Sequence, residues 1–228
     1  MHFCVGILVS NNSKHQVWVP RAPMRTSARV VPLSELLSLP APPTGERLRL
    51  AVRLASSVLQ LHKTEWLQER WGKKDIYLIQ GDSSQPSPSL ETPVVRRAFI
   101  PGPSVPEASI ESCLIRCNQS LFSLGIVLIE LWFWRSVESF QTDESQALVN
   151  SDTARYTIVR ELIGRLYGEA GNNYGAIVQQ CVYGIVHQEI RLEDNAFKNE
   201  VILRVLQPLE KDLERFYGKS IEEIFEDA

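Results

Sequence analysis

Between His62 and Asp82 the chain reads HKTEWLQERWGKKDIYLIQGD, and its chemistry-bearing side chains are concentrated there. An imidazole, His62, is followed by Gln68-Glu69-Arg70, a glycine at position 72 and a carboxylate at Asp75. Asp75 is a candidate metal ligand, because Mg²⁺ sites rest on one or two carboxylates completed by phosphate oxygens. Asp82 is the nearest following carboxylate. The competing reading of Asp75 is a capping or turn carboxylate. Arg70 has five donors, no acceptor and a proton it does not release, so it cannot act as a general base. Cys113 and Cys117 share one helical face at a spacing of four, but no His or Cys pair completes them at a usual zinc spacing. His2, His15 and His187 are isolated, and none has a Ser or Cys partner in a nucleophile motif. These residues assign no catalytic group and no cofactor site.

The elements that position this stretch follow from hydrophobic spacing. Residues 3–10 and 15–20 read as two strands around the polar turn Asn11-Asn12-Ser13-Lys14. Val30–Leu39 carries a short helical pattern, which Pro-Ala-Pro-Pro ends. From Glu46 to His62, Leu48, Ala51, Leu54, Ala55, Val58 and Leu61 form one helical face, with Thr44 as the expected cap. Lys74–Ile79 reads as a short strand and residues 81–109, rich in Pro and Ser, as one long loop. Leu121–Trp134 is apolar nearly all round, which predicts a helix buried on every side. Amphipathic helices are expected over Thr153–Gly168, Tyr174–Val186 and Phe197–Tyr217, the last interrupted near Pro208, and the acidic stretch Ser220–Ala228 extends the series. Trp66 and Trp71 are expected to pack under the loop they flank, with a ligand groove as the alternative; Trp132 and Trp134 are expected in the core.

The bulk numbers fit one globular unit of 228 residues, 44% apolar and 22% charged. A net charge of −3 gives no field that draws the chain to nucleic acid, so no nucleic-acid partner is expected. Four cysteines without a Cys-x-x-Cys pair do not make a disulfide framework, and no apolar run reaches the roughly 18 residues of a membrane span. Phe3–Val9 reads as a buried strand rather than a signal peptide, which points to an intracellular, cytoplasmic setting.

The stretch around Asp75 resembles the catalytic-loop region of protein kinases. Leu61-His62 matches the helix end there, and Asp75-Ile76-Tyr77-Leu78 stands at the kinase spacing from that His for Asn-Ile-Leu-Leu. The resemblance then sets Gln68-Glu69-Arg70 where His-Arg-Asp belongs, Gly72 in place of the phosphate-contacting Lys, and Asp75 in place of the metal-binding Asn. The kinase Asp orients the substrate hydroxyl; Arg70 cannot, and losing a general base costs roughly 10²–10⁴ in rate. LFSLGIVLIEL resembles the kinase helix that follows a buttressing Asp, and that Asp falls on Ser120. Val105-Pro106-Glu107 resembles Ala-Pro-Glu, which makes Arg191 the implied ion-pair partner of Glu107. No Gly-rich loop, Val-Ala-Ile-Lys strand or Asp-Phe-Gly motif is found.

More distally, YGAIVQQCV, RLEDNAF and VLQPLEKDLERFYG resemble an uncharacterised fungal domain family with a kinase-like C-lobe, some of whose members carry a HeLo-type heterokaryon-incompatibility domain. The fold expected is therefore mainly α: a kinase C-lobe-like helical domain over residues 30–217. It follows an N-terminal strand pair in 1–29, contains a long Pro/Ser-rich loop, and ends in an acidic tail, 218–228. The function the resemblance implies is a non-catalytic, pseudokinase-like interaction or regulatory module with a protein partner, linked at most to self/non-self recognition or defence. The alternative is a residual nucleotide-binding protein, or a truncated kinase-like enzyme whose N-lobe is missing from the gene model. Ser87, before Pro88 in the loop and near Arg96-Arg97, is a candidate phosphosite.

Overall fold

Residues 119–133 carry so few polar side chains that the helix they form must be enclosed. In a computed structural model of the chain it is. The structure describes residues 2–10, 13–20, 29–61, 64, 67, 70–80, 90, 93–95, 119–140, 152–184 and 194–226. Strands β1 (His2–Ser10) and β2 (Ser13–Pro20) form an antiparallel hairpin with an irregularity between Cys4 and Gly6. Strand β3 (Arg29–Pro32) and the one-turn helix α1 (Leu33–Leu36) follow, then α2 (Thr44–Leu61), β4 (Ile76–Gln80) and β5 (Pro93–Val95). The enclosed helix is α3 (Gln119–Phe133), continued by a 3₁₀ turn at Val137–Phe140. Helices α4 (Asp152–Glu169), α5 (Asn172–Tyr183), α6 (Asp194–Val201), α7 (Gln207–Tyr217) and α8 (Ile221–Glu226) complete the fold, which is mainly α.

Helix α3 packs on α2, α5 and α4, and the core runs along it: Leu124, Val127, Leu128 and Ile129 have no exposed surface. Helix α5 can approach closely because position 125 is glycine. A Cβ there would stand 2.8 Å from Val182 Cγ2 and 3.1 Å from Cys181 Cβ. The end of α3 is held by its neighbours. Arg47 of α2 donates to the carbonyls of Leu131, at 3.4 Å, and Trp132, and its guanidinium lies 5.7 Å from the Trp132 ring. Tyr174 of α5 donates to Leu128 O at 2.9 Å. The helix stops at Trp134, whose φ of 49° is left-handed and whose indole N–H reaches Leu39 O at 3.1 Å. Trp134 is buried, as expected of it, while Trp132 is only partly so.

Several boundaries differ from the sequence reading. The stretch beginning at Val30 opens as a strand, not a helix: Val30 and Val31 are β-branched, Val31 precedes a proline that disfavours the α conformation, and Val31 pairs with Leu78. The strand expected at Lys74–Ile79 starts later, at Ile76, because Lys73–Asp75 are spent on a turn. The region expected as one loop contains β5, which completes a sheet of order β3-β4-β5. Thr44 is the first residue of α2 rather than its cap, and its Oγ1 accepts from Arg47 at 2.8 Å. The interruption expected near Pro208 is present as a π turn at Ile202–Leu206, between α6 and α7, which relieves the clash between the proline ring and the carbonyl four residues earlier. Residues 221–226 of the acidic tail, expected to extend the series of helices, do form a helix, and it buries Ile224.

Gly125→Ala is expected to destabilise the fold by about 1–3 kcal/mol, because the overpacking against Val182 outweighs the gain in helix propensity. Urea unfolding of the two proteins measures it, and an unchanged midpoint would contradict the close α3–α5 approach.

Candidate functional site

The segment Trp71–Asp75 lies between α2 and β4; Trp71, Lys73 and Asp75 spend their polar groups on contacts within the domain, whereas Lys74 is exposed. Gly72 N–H donates to Asp75 Oδ2 at 2.9 Å, and Asp75 N–H returns to Gly72 O at 2.9 Å. Asp75 thus closes a tight turn with its own side chain, the habit that favours Asp in such positions. Trp71, 9% exposed, donates its indole N–H to Ser120 O at 3.1 Å, and Lys73 O accepts from Ser34 N at 3.2 Å. Beneath Trp71 and Asp75, a void of about 20 Å³ among Leu54, Val58, Leu67 and Ile76 has room for about one water.

Lys73 fastens this turn to the centre of the domain. Its Nζ lies 2.5 Å from Glu130 Oε1 and 2.5 Å from Glu138 Oε2, and donates to Ser136 Oγ at 2.9 Å. Glu130 belongs to α3 and is 1% exposed; its Oε1 also accepts from Val137 N–H at 3.0 Å, while its Oε2 has no partner among the described residues. Burial pushes the Glu130 carboxyl above its ordinary range, and the Lys73 and Val137 contacts offset this only in part. Burial also opposes charge on Lys73, yet its hydrogen bonds to Glu130 and Glu138 outweigh that and hold the ammonium above its usual value. At Glu138 burial is again overcome, by hydrogen bonds from Lys73 and Ser136, and the carboxyl falls to about 2. One ammonium therefore serves two carboxylates. The arrangement fixes a turn to a helix and leaves its charges committed to each other.

The small sheet next to this turn has two different faces. Strand register sets Val31 opposite Leu78, Leu78 opposite Pro93 and Ile76 opposite Val95 on the inner face, where Val31, Ile76 and Leu78 are buried. The same register places Val30, Pro32, Tyr77, Ile79 and Val94 on the outer face. Antiparallel sheets that meet water on one side alternate apolar with polar. Here every one of these outer positions is apolar or aromatic, and Val30 and Val94 are 52% and 41% exposed.

Of the residues singled out from the sequence, the structure brings Gly72, Asp75 and Ser120 together through Trp71, whereas Arg70 is exposed beside them. Ser120 meets the turn with its backbone carbonyl. Gln68, Glu69, Ser87, Glu107 and Arg191 lie outside the described residues, as do His62, Trp66, Cys113 and Cys117. Among the described residues there is no cluster of three metal-ligating side chains, and no helix is long and apolar enough to cross a membrane. Cys181 is a fully buried thiol pushed up to about 12 by burial, which removes it as a nucleophile. Sequence reasoning missed Lys73 and Glu130. The signal was present: a lone carboxylate in the middle of LFSLGIVLIELWF requires a buried partner.

A family model described as a domain of unknown function, DUF7580, matches residues 13–216. No curated protein and no solved structure matches the chain.

Lys73→Met is expected to cost about 3–5 kcal/mol at neutral pH, since it strands a buried carboxylate. The loss should shrink in acid as Glu130 takes up a proton, and Lys73→Met with Glu130→Leu should recover much of it in urea unfolding. Glu138 supplies the opposite pH signature. Its folded pKa of about 2 lies below the ordinary 4.5, so its contribution is complete above pH 4.5 and is lost as pH falls toward 2. The stability gap between the wild type and Glu138→Gln should narrow over that window; a gap independent of pH would remove Glu138 from the node.

Proposed function

The chain belongs to the DUF7580 family, a domain of unknown function, and on that premise we propose that it is a non-catalytic, pseudokinase-like module that works by binding another protein. The observation that carries this reading is the apolar outer face of the β3-β4-β5 sheet, led by Val30 and Val94. An exposed apolar patch of contiguous side chains is characteristic of an interaction surface.

The adjacent turn supports the non-catalytic half of the proposal. Where the kinase resemblance would place proton-accepting and metal-binding groups, Arg70 has no acceptor, and Asp75 uses an oxygen to close its own turn. The kinase-like frame and the setting in fungal self/non-self recognition or defence rest on the resemblance of LFSLGIVLIEL and the distal motifs, and belong to the same proposal. A kinase C-lobe also accounts for an apolar sheet face beside the former loop, because that side would meet whatever the domain binds.

Two measurements test it. The double variant Val30→Asp, Val94→Asp changes exposed positions, so it should keep its melting temperature to within about 0.5 kcal/mol of stability. It should also lose a protein that co-purifies with the tagged wild-type chain from its own cells. In thermal unfolding, ATP with Mg²⁺ or Mn²⁺ should leave the midpoint unmoved, because only a ligand that binds the native state raises it. A rise at sub-millimolar ATP that Asp75→Ala abolishes, or phosphate transfer above a no-protein control, would overturn the proposal.

A further inference from the structure

A cleft of about 400 Å³ opens between α2, β5, α7 and α8, a size within the range of small-ligand sites. Its walls are fixed by contacts already made. Ile224 anchors α8 with 2% of its surface exposed, and Ile221 N–H donates to Glu214 Oε1 on α7 at 3.2 Å. A capping box holds the start of α8: Glu223 N–H points to Ser220 Oγ at 3.4 Å, and Ser220 N–H donates to Glu223 Oε2 at 2.9 Å. The cleft is open as the chain stands, so a ligand enters it without displacing any element.

Two kinds of side chain line it. Pro93, Ile221 and Phe225, each partly buried, give it apolar surface, and α2 and α7 supply polar groups. Those of α2 are already engaged. Ser57 Oγ donates to Arg53 O at 2.8 Å, Ser56 Oγ accepts from Gln60 Nε2 at 3.4 Å, and the Arg53 guanidinium lies 5.0 Å from the Phe225 ring. Glu210 of α7 is the exception: its carboxylate has no hydrogen bond or ion pair among the described residues. Burial holds the Glu210 carboxyl above its ordinary range, and the charges that add to this are the acids Glu214 and Glu222. Arg53, held on Phe225, does not offset them. An acid in this setting is relieved by a cation brought to it.

We propose that this cleft binds a primary ammonium on a short aliphatic stem, whether a lysine side chain or a free alkylamine, with the ammonium on Glu210 and the stem against Pro93, Ile221 and Phe225. An ammonium has three donors and no acceptor. The cleft offers it one carboxylate and the two hydroxyl oxygens of Ser56 and Ser57, each of which keeps a lone pair after the contacts it already makes. An aliphatic stem of this kind covers apolar surface while its charged end stays on a polar partner. The mixture of polar and apolar walls therefore suits this ligand, and an anionic one would meet the Glu210 charge. Pro93 lies on the inner face of β5, opposite Leu78, so the cleft is separate from the outer face of the sheet and does not depend on it.

Amide chemical shifts of the ¹⁵N-labelled full chain, titrated with n-butylamine, n-butanol or butyrate at constant pH and ionic strength, test the site. Butylamine should move the amides of Ser56, Ser57, Glu210 and Phe225 saturably, at a midpoint lower than that of butanol by roughly fivefold or more, the worth of one partly exposed charge pair. Butyrate should leave them in place. Glu210→Gln alters a group that holds no partner, so it should fold as the wild type does and should raise the butylamine midpoint to that of butanol. If Glu210→Gln fails to fold, the comparison of amine with alcohol on the wild type decides alone. Nα-acetyl-lysine methylamide separates the two sources: a midpoint at or below that of butylamine assigns the site to a protein's lysine, and a higher one to a free amine. Butylamine that binds no more tightly than butanol, or equally well to Glu210→Gln, would overturn the proposal, as would butyrate binding at the same amides.

Discussion

A carboxylate in the middle of an apolar helix must be neutralised or paired, and Glu130 is both buried and paired. The ion pair with Lys73 joins three parts of the chain that are distant in sequence: the turn after α2, the central helix α3, and the 3₁₀ turn that follows it through Val137 and Glu138. Desolvation makes such a pair a poor source of net stability. Its value lies in geometry, because a buried charge has one acceptable partner position, and that position fixes where the Trp71–Asp75 turn sits. Once the turn is fixed, β4 leaves it in a set direction, and β3 and β5 pair onto β4.

The sheet built on that strand explains why the domain has a sidedness its helices alone would not give. Its inner face is spent on the core through Val31, Ile76 and Leu78. Its outer face carries Val30, Pro32, Tyr77, Ile79 and Val94, of which only Tyr77 brings a polar side-chain group. The turn and the sheet thus adjoin: Lys73 and Asp75 spend their polar groups on contacts within the domain, and the sheet turns apolar side chains outward.

Around the rest of α3, close packing and side-chain to backbone hydrogen bonds set the arrangement. Gly125 lets α5 approach α3, Arg47 caps the last carbonyls of α3, and Tyr174 ties α5 to the same helix at Leu128. Helix α8 completes the surface beside α2 and α7 with a single fully buried anchor, Ile224. Most core residues belong to helices legible in the sequence, and Val31, Ile76 and Leu78 of the sheet complete the core. The polar contacts that lock them came from side chains with no periodic signature.

By itself the sequence determined the helical character of the chain, the enclosure of α3, the β1–β2 hairpin and the turn or cap role open to Asp75. Each of these follows from local spacing and residue type. Arg70 likewise shows in the sequence that it cannot be a base, since that is a property of a guanidinium anywhere. Only the tertiary structure decided that Val30-Val31 is a strand, that β5 interrupts the supposed loop, that the chain passes Pro208 by a π turn, and that Lys73 is the partner of Glu130. These depend on contacts between residues tens of positions apart. A short apolar run fits a strand or a helix equally well until a pairing partner such as Leu78 is beside it. A buried charge announces only that it needs a partner, and the fold determines which lysine lies within reach.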